Sequence, residues 1–524
     1  MEFKKWHYLW ILALSLTVTV YCFGPNMNAR WWGVDDHEIM DFLGPAQTVK
    51  IRDIPQLLVT KTEVGQPGSN LRYRPSYYII KLLQASFFGL EPQLWYAYNL
   101  IVSFTFFTVI FYLLMAWIGP ALGTLCWIWI VSPYYWSDIF SRLGPGEIHA
   151  ALGAALFSFG FYHSWNSTKH NIKVDVVWLL TVTGAIVAAG SKENFVLLLI
   201  PLLLLLYRTR KKKLLTPLRL ISLGAAIMYI VGIASVVVMA LVRAKHDFYA
   251  NAVGPGDRLY LLLHYFTNLT EHAFLVCLTL TFSLAAYATG FFSEKFYIRP
   301  ELSRLRQIFG PIFVFQCVLL SISLSQYVFY NGSWPTQMRY DFPGGMLPAL
   351  GVFAIFRGTV IFFEASKRHW KYLAHFAAAI LTLAVIAKEK PQRLRLAALE
   401  NVQRTSVFTK SIESIRDKIS GRFGVPLVFS SHSVWDYELT FSIQRFLNVY
   451  GVSNPMALEL VKYKPDTFPT GSLERSLSQR LKGISEVGGS GFISSKTAKS
   501  SAPCFGVGLS GPAGKACEDL GRAW

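Results

Sequence analysis

Charge is scarce in this 524-residue chain: 15% of its residues are Asp, Glu, Lys or Arg, against 53% hydrophobic. A soluble protein of this length normally divides into several domains and carries about a quarter charged residues, so a soluble multidomain architecture is excluded. Cysteine is also sparse. Six are present without CxxC or metal-type spacing, which argues against a zinc ribbon or a dithiol redox motif. Four of them lie in apolar runs as small hydrophobes, whereas Cys504 and Cys517 fall in the tail and would pair only if the tail is exported. The histidines have no HExxH spacing, so metal ligation by them is not expected. No internal repeat is visible, against the paired halves of many transporters. Acids are the scarcer charge, 31 against 50 Lys plus Arg, for a formal net charge of +19. In an apolar chain that excess marks cytoplasmic loops. No basic-aromatic groove pattern accompanies it, so no nucleic-acid partner is expected.

Long apolar runs are abundant. About eleven reach toward bilayer-spanning length, near 7–24, 94–118, 121–135, 148–165, 174–190, 194–207, 218–242, 272–292, 308–330, 345–363 and 372–387. The start, MEFKKWHYLWILALSLTVTVYCFGP, offers no small-residue cleavage site and reads as a retained span. Residues 174–207 are too long for one crossing at 1.5 Å per residue, and AAGSKENF interrupts them, predicting a hairpin with Lys192 and Glu193 at its tip. With the N-terminus inside, the cytoplasmic segments hold seventeen basic residues. The short outer loops hold six, Arg142, Lys192, Arg243, Lys245, Arg258 and Arg339. That orientation satisfies the positive-inside rule. It places a long first loop, 25–93, outside, with RPSYYIIKLLQASFFGL amphipathic enough to lie along the interface. The expected architecture is an all-α polytopic membrane protein: a membrane domain over 1–387, a small α/β extracytoplasmic domain over 388–465, and a Ser/Gly/Lys-rich tail over 466–524 that is expected to be disordered.

The scarce charges gather at the outer ends of spans. WWGVDDHEIM carries Asp35, Asp36, His37 and Glu38; LRYRPSYY carries Arg72 and Arg74. SDIFSRLGPGEIHA carries Asp138, Arg142 and Glu147, GSKENF carries Lys192 and Glu193, and QMRYDFP carries Arg339 and Tyr340. Ionisable groups at membrane depth are costly and mark substrate paths or mutual pairs. Acids and bases on one face suit transfer from a phosphate-linked lipid donor. A carboxylate takes the proton of an attacking hydroxyl, while Arg and Lys hold the departing phosphate. Each residue also has a plainer reading. The acids suit a helix N-terminus, Lys192 suits snorkelling, Arg74 an interfacial anchor, Glu147 a cap, and Arg339 a loop pair with Asp341.

As an ordered set, these motifs over roughly residues 5–365 resemble the GT-C superfamily of integral-membrane glycosyltransferases. They are nearest to its protein O-mannosyltransferase and lipid A aminoarabinose transferase branch. The family's acidic pair after the first span is matched by Asp35 and Asp36, although DDHE departs from the common Asp-Glu and leaves the base open between them, Asp35 preferred. Its basic residue before Pro and aromatics is matched by Arg74, its second acid by Glu147, its span-opening Lys by Lys192, and its RY…P motif by Arg339 and Tyr340. Glu38, His37, Arg72 and Glu193 complete the expected substrate-binding set. The resemblance implies inverting transfer of one sugar from a polyprenyl-phosphate donor to a hydroxyl-bearing glycan, lipid or protein acceptor. No cofactor is expected, and a divalent metal is left open. A bacterial inner membrane, with the site on its periplasmic face, is the preferred location, and the endoplasmic reticulum membrane the alternative. A lipid-linked sugar flippase or an oligosaccharide ligase or polymerase are the competing readings.

Overall fold

A computed structural model of the chain describes residues 3–67, 72–166, 172–243, 271–296, 303–328, 338–364, 368–421, 424–431, 436–460, 473–498, 503–507 and 518–519, with Tyr260 and Leu263. Lys245, Arg258, Cys517 and any Cys504–Cys517 pair lie outside the described residues.

The helices are α1 (Lys5–Phe23), α2 (His37–Leu43), α3 (Ile54–Lys61), α4 (Pro75–Phe88), α5 (Pro92–Ile118), α6 (Pro120–Val131), α7 (Tyr135–Phe140), α8 (Glu147–Asn166), α9 (Ile172–Ser191), α10 (Leu199–Lys211), α11 (Pro217–Arg243), α12 (Glu271–Phe296), α13 (Ser303–Gln326), α14 (Leu347–Glu364), α15 (Arg368–Glu389) and α16 (Gln392–Ile419). Proline opens α4, α5, α6 and α11, where its missing N–H costs nothing and its fixed φ suits the first turn. A helix stands at each of the eleven expected runs. Among the described residues seven are long and apolar enough to cross a membrane, and Pro120–Val131 and Asp175–Ser191 are apolar but shorter. The difference has local causes. The 121–135 run stops at Val131 ahead of Pro133, which disfavours helix in the residue before it. The 194–207 run opens as a 3-10 turn, Glu193–Leu198, before α10 begins.

Helices α8 and α9 pack at small-residue contacts. A Cβ on Gly153 would lie 2.4 Å from the Ala188 nitrogen, one on Gly184 2.2 Å from the Phe157 nitrogen, and one on Gly160 2.5 Å from the Thr181 nitrogen. Small residues are what let membrane helices approach backbone to backbone. The antiparallel pair therefore brings the start of α8, Glu147, opposite the residue that follows α9, Lys192.

Beyond α16 come β1 (Leu427–Ser431), α17 (Tyr437–Val449), β2 (Met456–Leu460), α18 (Leu473–Val487), β3 (Phe492–Ile493), β4 (Cys504–Val507) and β5 (Glu518–Asp519). The strands form one parallel sheet in the order β3-β2-β1-β4-β5. This corrects the expectation of a disordered 466–524 tail, since α18 and three of the five strands come from it. Strands of two to four residues leave no alternating signal long enough to stand out from a Ser/Gly-rich background. The sheet domain is not set apart from the first loop. A single hydrophobic cluster joins Trp31, Trp32, Ile39 and Tyr77 of that loop to Phe408, Leu439 and Phe446 of the C-terminal domain.

Candidate functional site

Asp35 follows Gly33-Val34 with φ of 72°, a left-handed conformation that is uncommon for a residue with a side chain and persists only where the surroundings impose it. Here they do. A Cβ on Gly144 would fall 2.1 Å from the Asp35 Cβ, so the loop before α8 closes tightly over this turn. The turn sends the two neighbouring carboxylates different ways. Asp35 Oδ2 accepts from Arg142 Nη2 at 2.5 Å and from Arg339 Nη1 at 3.4 Å. Asp36 is buried, and its Oδ2 accepts the Trp32 backbone N–H at 2.8 Å. Asp36 stands at the start of α2 without capping it through its side chain.

Lys192 is extended (φ −148°, ψ 119°) at the break between α9 and the Glu193–Leu198 turn. It is buried rather than displayed at a hairpin tip, and its Nζ donates to Glu147 Oε1 at 2.5 Å. Arg339 Nε lies 3.8 Å from Glu147 Oε2, so the arginine bridges two carboxylates instead of pairing locally with Asp341. Asp138 fixes both arginines: Oδ1 accepts from Arg142 Nη1 at 2.6 Å and Oδ2 accepts the Arg339 backbone N–H at 3.3 Å. On the far side Arg74 Nε donates to Glu63 Oε1 at 3.0 Å and Nη2 to the Tyr78 hydroxyl at 3.0 Å. Arg74 is held within this cluster, a firmer tether than an interfacial anchor needs. Glu193 accepts the Tyr73 N–H at 3.1 Å, and the Tyr77 hydroxyl donates to Glu38 Oε2 at 3.1 Å and to the Gly144 carbonyl at 2.8 Å.

These groups surround one cleft of about 120 Å³. Its walls include Asp35, His37, Glu38, Arg72, Arg74, Glu147, Lys192, Glu193, Arg339 and Tyr340, drawn from sequence positions three hundred residues apart. Of the residues expected from sequence, Asp36 is not among the lining residues. Sequence reasoning missed Tyr77 and the backbone of Gly144-Pro145-Gly146. It also missed Tyr437 and Glu438, which α17 brings to the wall. Arg142 and Asp138 are among the outer charges, and their i,i+4 spacing is the sequence signal that they pair. Among the described residues no three His, Cys, Asp or Glu converge as a metal site.

Electrostatics separates the two aspartates. Burial acts to raise the Asp35 pKa, but the Arg142 and Arg339 guanidiniums outweigh it and hold the group well below the usual carboxylate range. Burial pushes Asp36 up to about 7, with the Asp35 charge adding to it against the Trp32 N–H. Burial likewise brings Lys81, whose ammonium is bonded to the Leu143 carbonyl, down to about 8 and lowers His37.

Fold and site together define a multi-pass membrane protein with a charged cleft at one end of its helix bundle. No protein-family model and no curated protein matches the sequence. Among solved structures, the chain is similar to ArnT from Cupriavidus metallidurans bound to undecaprenyl phosphate, at 10% identity, over 92% of this chain and 91% of that one, with a TM-score of 0.46. The apo state of the same ArnT gives 11%, the same coverage and 0.43. An Archaeoglobus fulgidus oligosaccharyltransferase in complex with Zn and sulfate gives 11% identity over 83% of this chain and 61% of that one, with a TM-score of 0.40. Both proteins are members of the GT-C superfamily, which the sequence motifs resemble. At TM-scores under 0.5 these likenesses assign no activity to this chain.

Proposed function

We propose that the protein is an inverting glycosyltransferase that moves one sugar from a polyprenyl-phosphate donor to a hydroxyl acceptor on the extracytoplasmic face of the membrane. The observation that carries this reading is the convergence of Asp35, Glu147, Lys192 and Arg339 on one cleft. In the proposed reaction the acceptor oxygen attacks the anomeric carbon and the carbon–oxygen bond to phosphate breaks. The phosphate departs with the bonding electrons, and the hydroxyl proton passes to Asp35. A carboxylate held this acidic is ionised throughout the physiological range and takes the proton late, once attack has made the hydroxyl acidic. Arg339 and Lys192 stand where the phosphate charge grows, preorganised by Asp35, Asp138 and Glu147 before donor arrives.

The test is transfer by purified protein supplied with a panel of radiolabelled polyprenyl-phosphate sugars and native membranes as acceptor source. Asp35→Asn, nearly isosteric but unable to accept the proton, should lower transfer about 100-fold or more while donor still binds. Wild-type turnover by that variant would sink the assignment of Asp35 as base.

A further inference from the structure

The lining of the cleft combines two sets of residues. Arg72, Arg74, Lys192 and Arg339 line it together with Asp35, Glu147 and Glu193, which pair with three of them, a setting that suits a phosphate. His37 and Glu38 at the start of α2, with Tyr437 and Glu438 at the start of α17, line it as well. That second set is composite, because α17 belongs to the C-terminal domain.

The domain is locked to the loop that carries Asp35. Ser442 of α17 donates its hydroxyl hydrogen to the Gly33 carbonyl. A Cβ on Gly33 would meet Leu439 Cδ1 at 2.6 Å and Phe408 Cε2 at 2.7 Å, so α16 and α17 press directly on this backbone. Trp31 packs against Phe446 with ring centroids 6.5 Å apart, and Gln47 Nε2 donates to the Val449 carbonyl at 3.2 Å. Arg445 lies 3.8 Å from Asp41 of α2. Contacts this many, spread along both helices, fix where Tyr437 and Glu438 stand relative to Asp35.

Resting on the transferase reading, we infer that the C-terminal domain supplies the acceptor half of the cleft, through Glu438 and Tyr437, and that the acceptor is polyhydroxylated: a glycan. With the phosphate read among the lining cations, the acceptor falls to His37, Glu38, Tyr437 and Glu438. A lone alcohol on a lipid needs one hydrogen-bond partner at the base and an apolar surface for the rest. This set instead presents two carboxylates, a phenol and an imidazole, which matches several hydroxyls at once. A site built to bond hydroxyls rejects analogues lacking them, since its own polar groups are then left unpaired.

The experiment uses the full-length purified protein and the donor panel above. Three acceptors are compared: methyl β-glucopyranoside, n-butanol and N-acetylserinamide. The glucoside should be glycosylated at least about 10-fold more efficiently than either of the others. Glu438→Gln and Tyr437→Phe should each raise the glucoside KM about 10-fold while moving the donor KM less than about twofold, a split that loss of folding would not produce. Equal use of butanol or serinamide, or no use of the glucoside while native membranes still accept label, overturns the inference alone. So does an equal rise of both Michaelis constants. Absence of labelled product with every acceptor, native membranes included, would overturn the transferase reading as well.

Discussion

At Asp35 the chain enters a left-handed turn that splits two adjacent carboxylates between a cleft and a core. Their environments give opposite dependences on pH. Asp35 is held below its ordinary value, so its contribution to stability is present above the unfolded pKa and is lost only as pH falls through the depressed folded one. Asp36 is raised from 3.8 to about 7, so the folded state holds the proton more tightly, and stability declines as pH rises from about 4 through about 7. Asp36→Asn keeps an oxygen for the Trp32 N–H and removes the titration. The variant should show a thermal midpoint flatter between pH 5 and 8 than wild type, and higher at pH 8. A midpoint curve parallel to wild type would mean that Asp36 does not titrate in that window. Arg339 answers to kinetics instead. The departing phosphate gains charge, so Arg339→Ala should lower kcat more than it weakens donor binding. Arg339→Lys should recover only part, because an ammonium cannot reproduce a guanidinium shared between Asp35 and Glu147. A change confined to the donor KM would assign it to ground-state binding.

The elements determine which of these residues meet. Glycines where α8 and α9 approach bring Glu147 to Lys192, and the loop ahead of α8 closes over Asp35. Gly144→Ala would place a methyl group 2.1 Å from the Asp35 Cβ, and neither backbone nor an already constrained turn yields easily there. Transfer should fall about 10-fold or more, while the thermal midpoint drops by only a few degrees. Full activity would show that the turn relaxes without cost. Much at this scale was legible in the sequence. The break at AAGSKENF, the acids at the starts of α2 and α8, and RYRP before α4 all stood at helix ends, where charge and proline chemistry leave local marks. Tyr437 and Glu438 left none. Their place in the cleft follows from how α17 docks on α2, a contact between residues about four hundred apart in sequence. The strands of the tail escaped for a related reason, since parallel pairing to β1 defines them and their own composition does not.

For the whole molecule, the expected orientation rests on seventeen basic residues in the segments read as cytoplasmic against six in the short outer loops. The structure adds which parts share a side. The cleft, the first loop and the C-terminal domain lie together, joined by one hydrophobic cluster, so they must share one side of the membrane. The basic end of α10, with Arg208, Arg210 and Lys211 in its last turn, is separated from Lys192 at the cleft by the Glu193–Leu198 turn and the length of α10. Three single cysteines, placed in a background from which the natural ones have been removed, test both statements. Lys50 in the first loop, Asp417 near the end of α16 and Lys212 after α10 are all exposed, so labelling reports sidedness and not burial. In intact cells an impermeant thiol reagent should label Lys50→Cys and Asp417→Cys, and it should reach Lys212→Cys only after the membrane is opened. Labelling of Lys212→Cys alone would invert the molecule and place the cleft in the cytoplasm. Labelling of Lys50→Cys without Asp417→Cys would break the shared core that holds the C-terminal domain against the site.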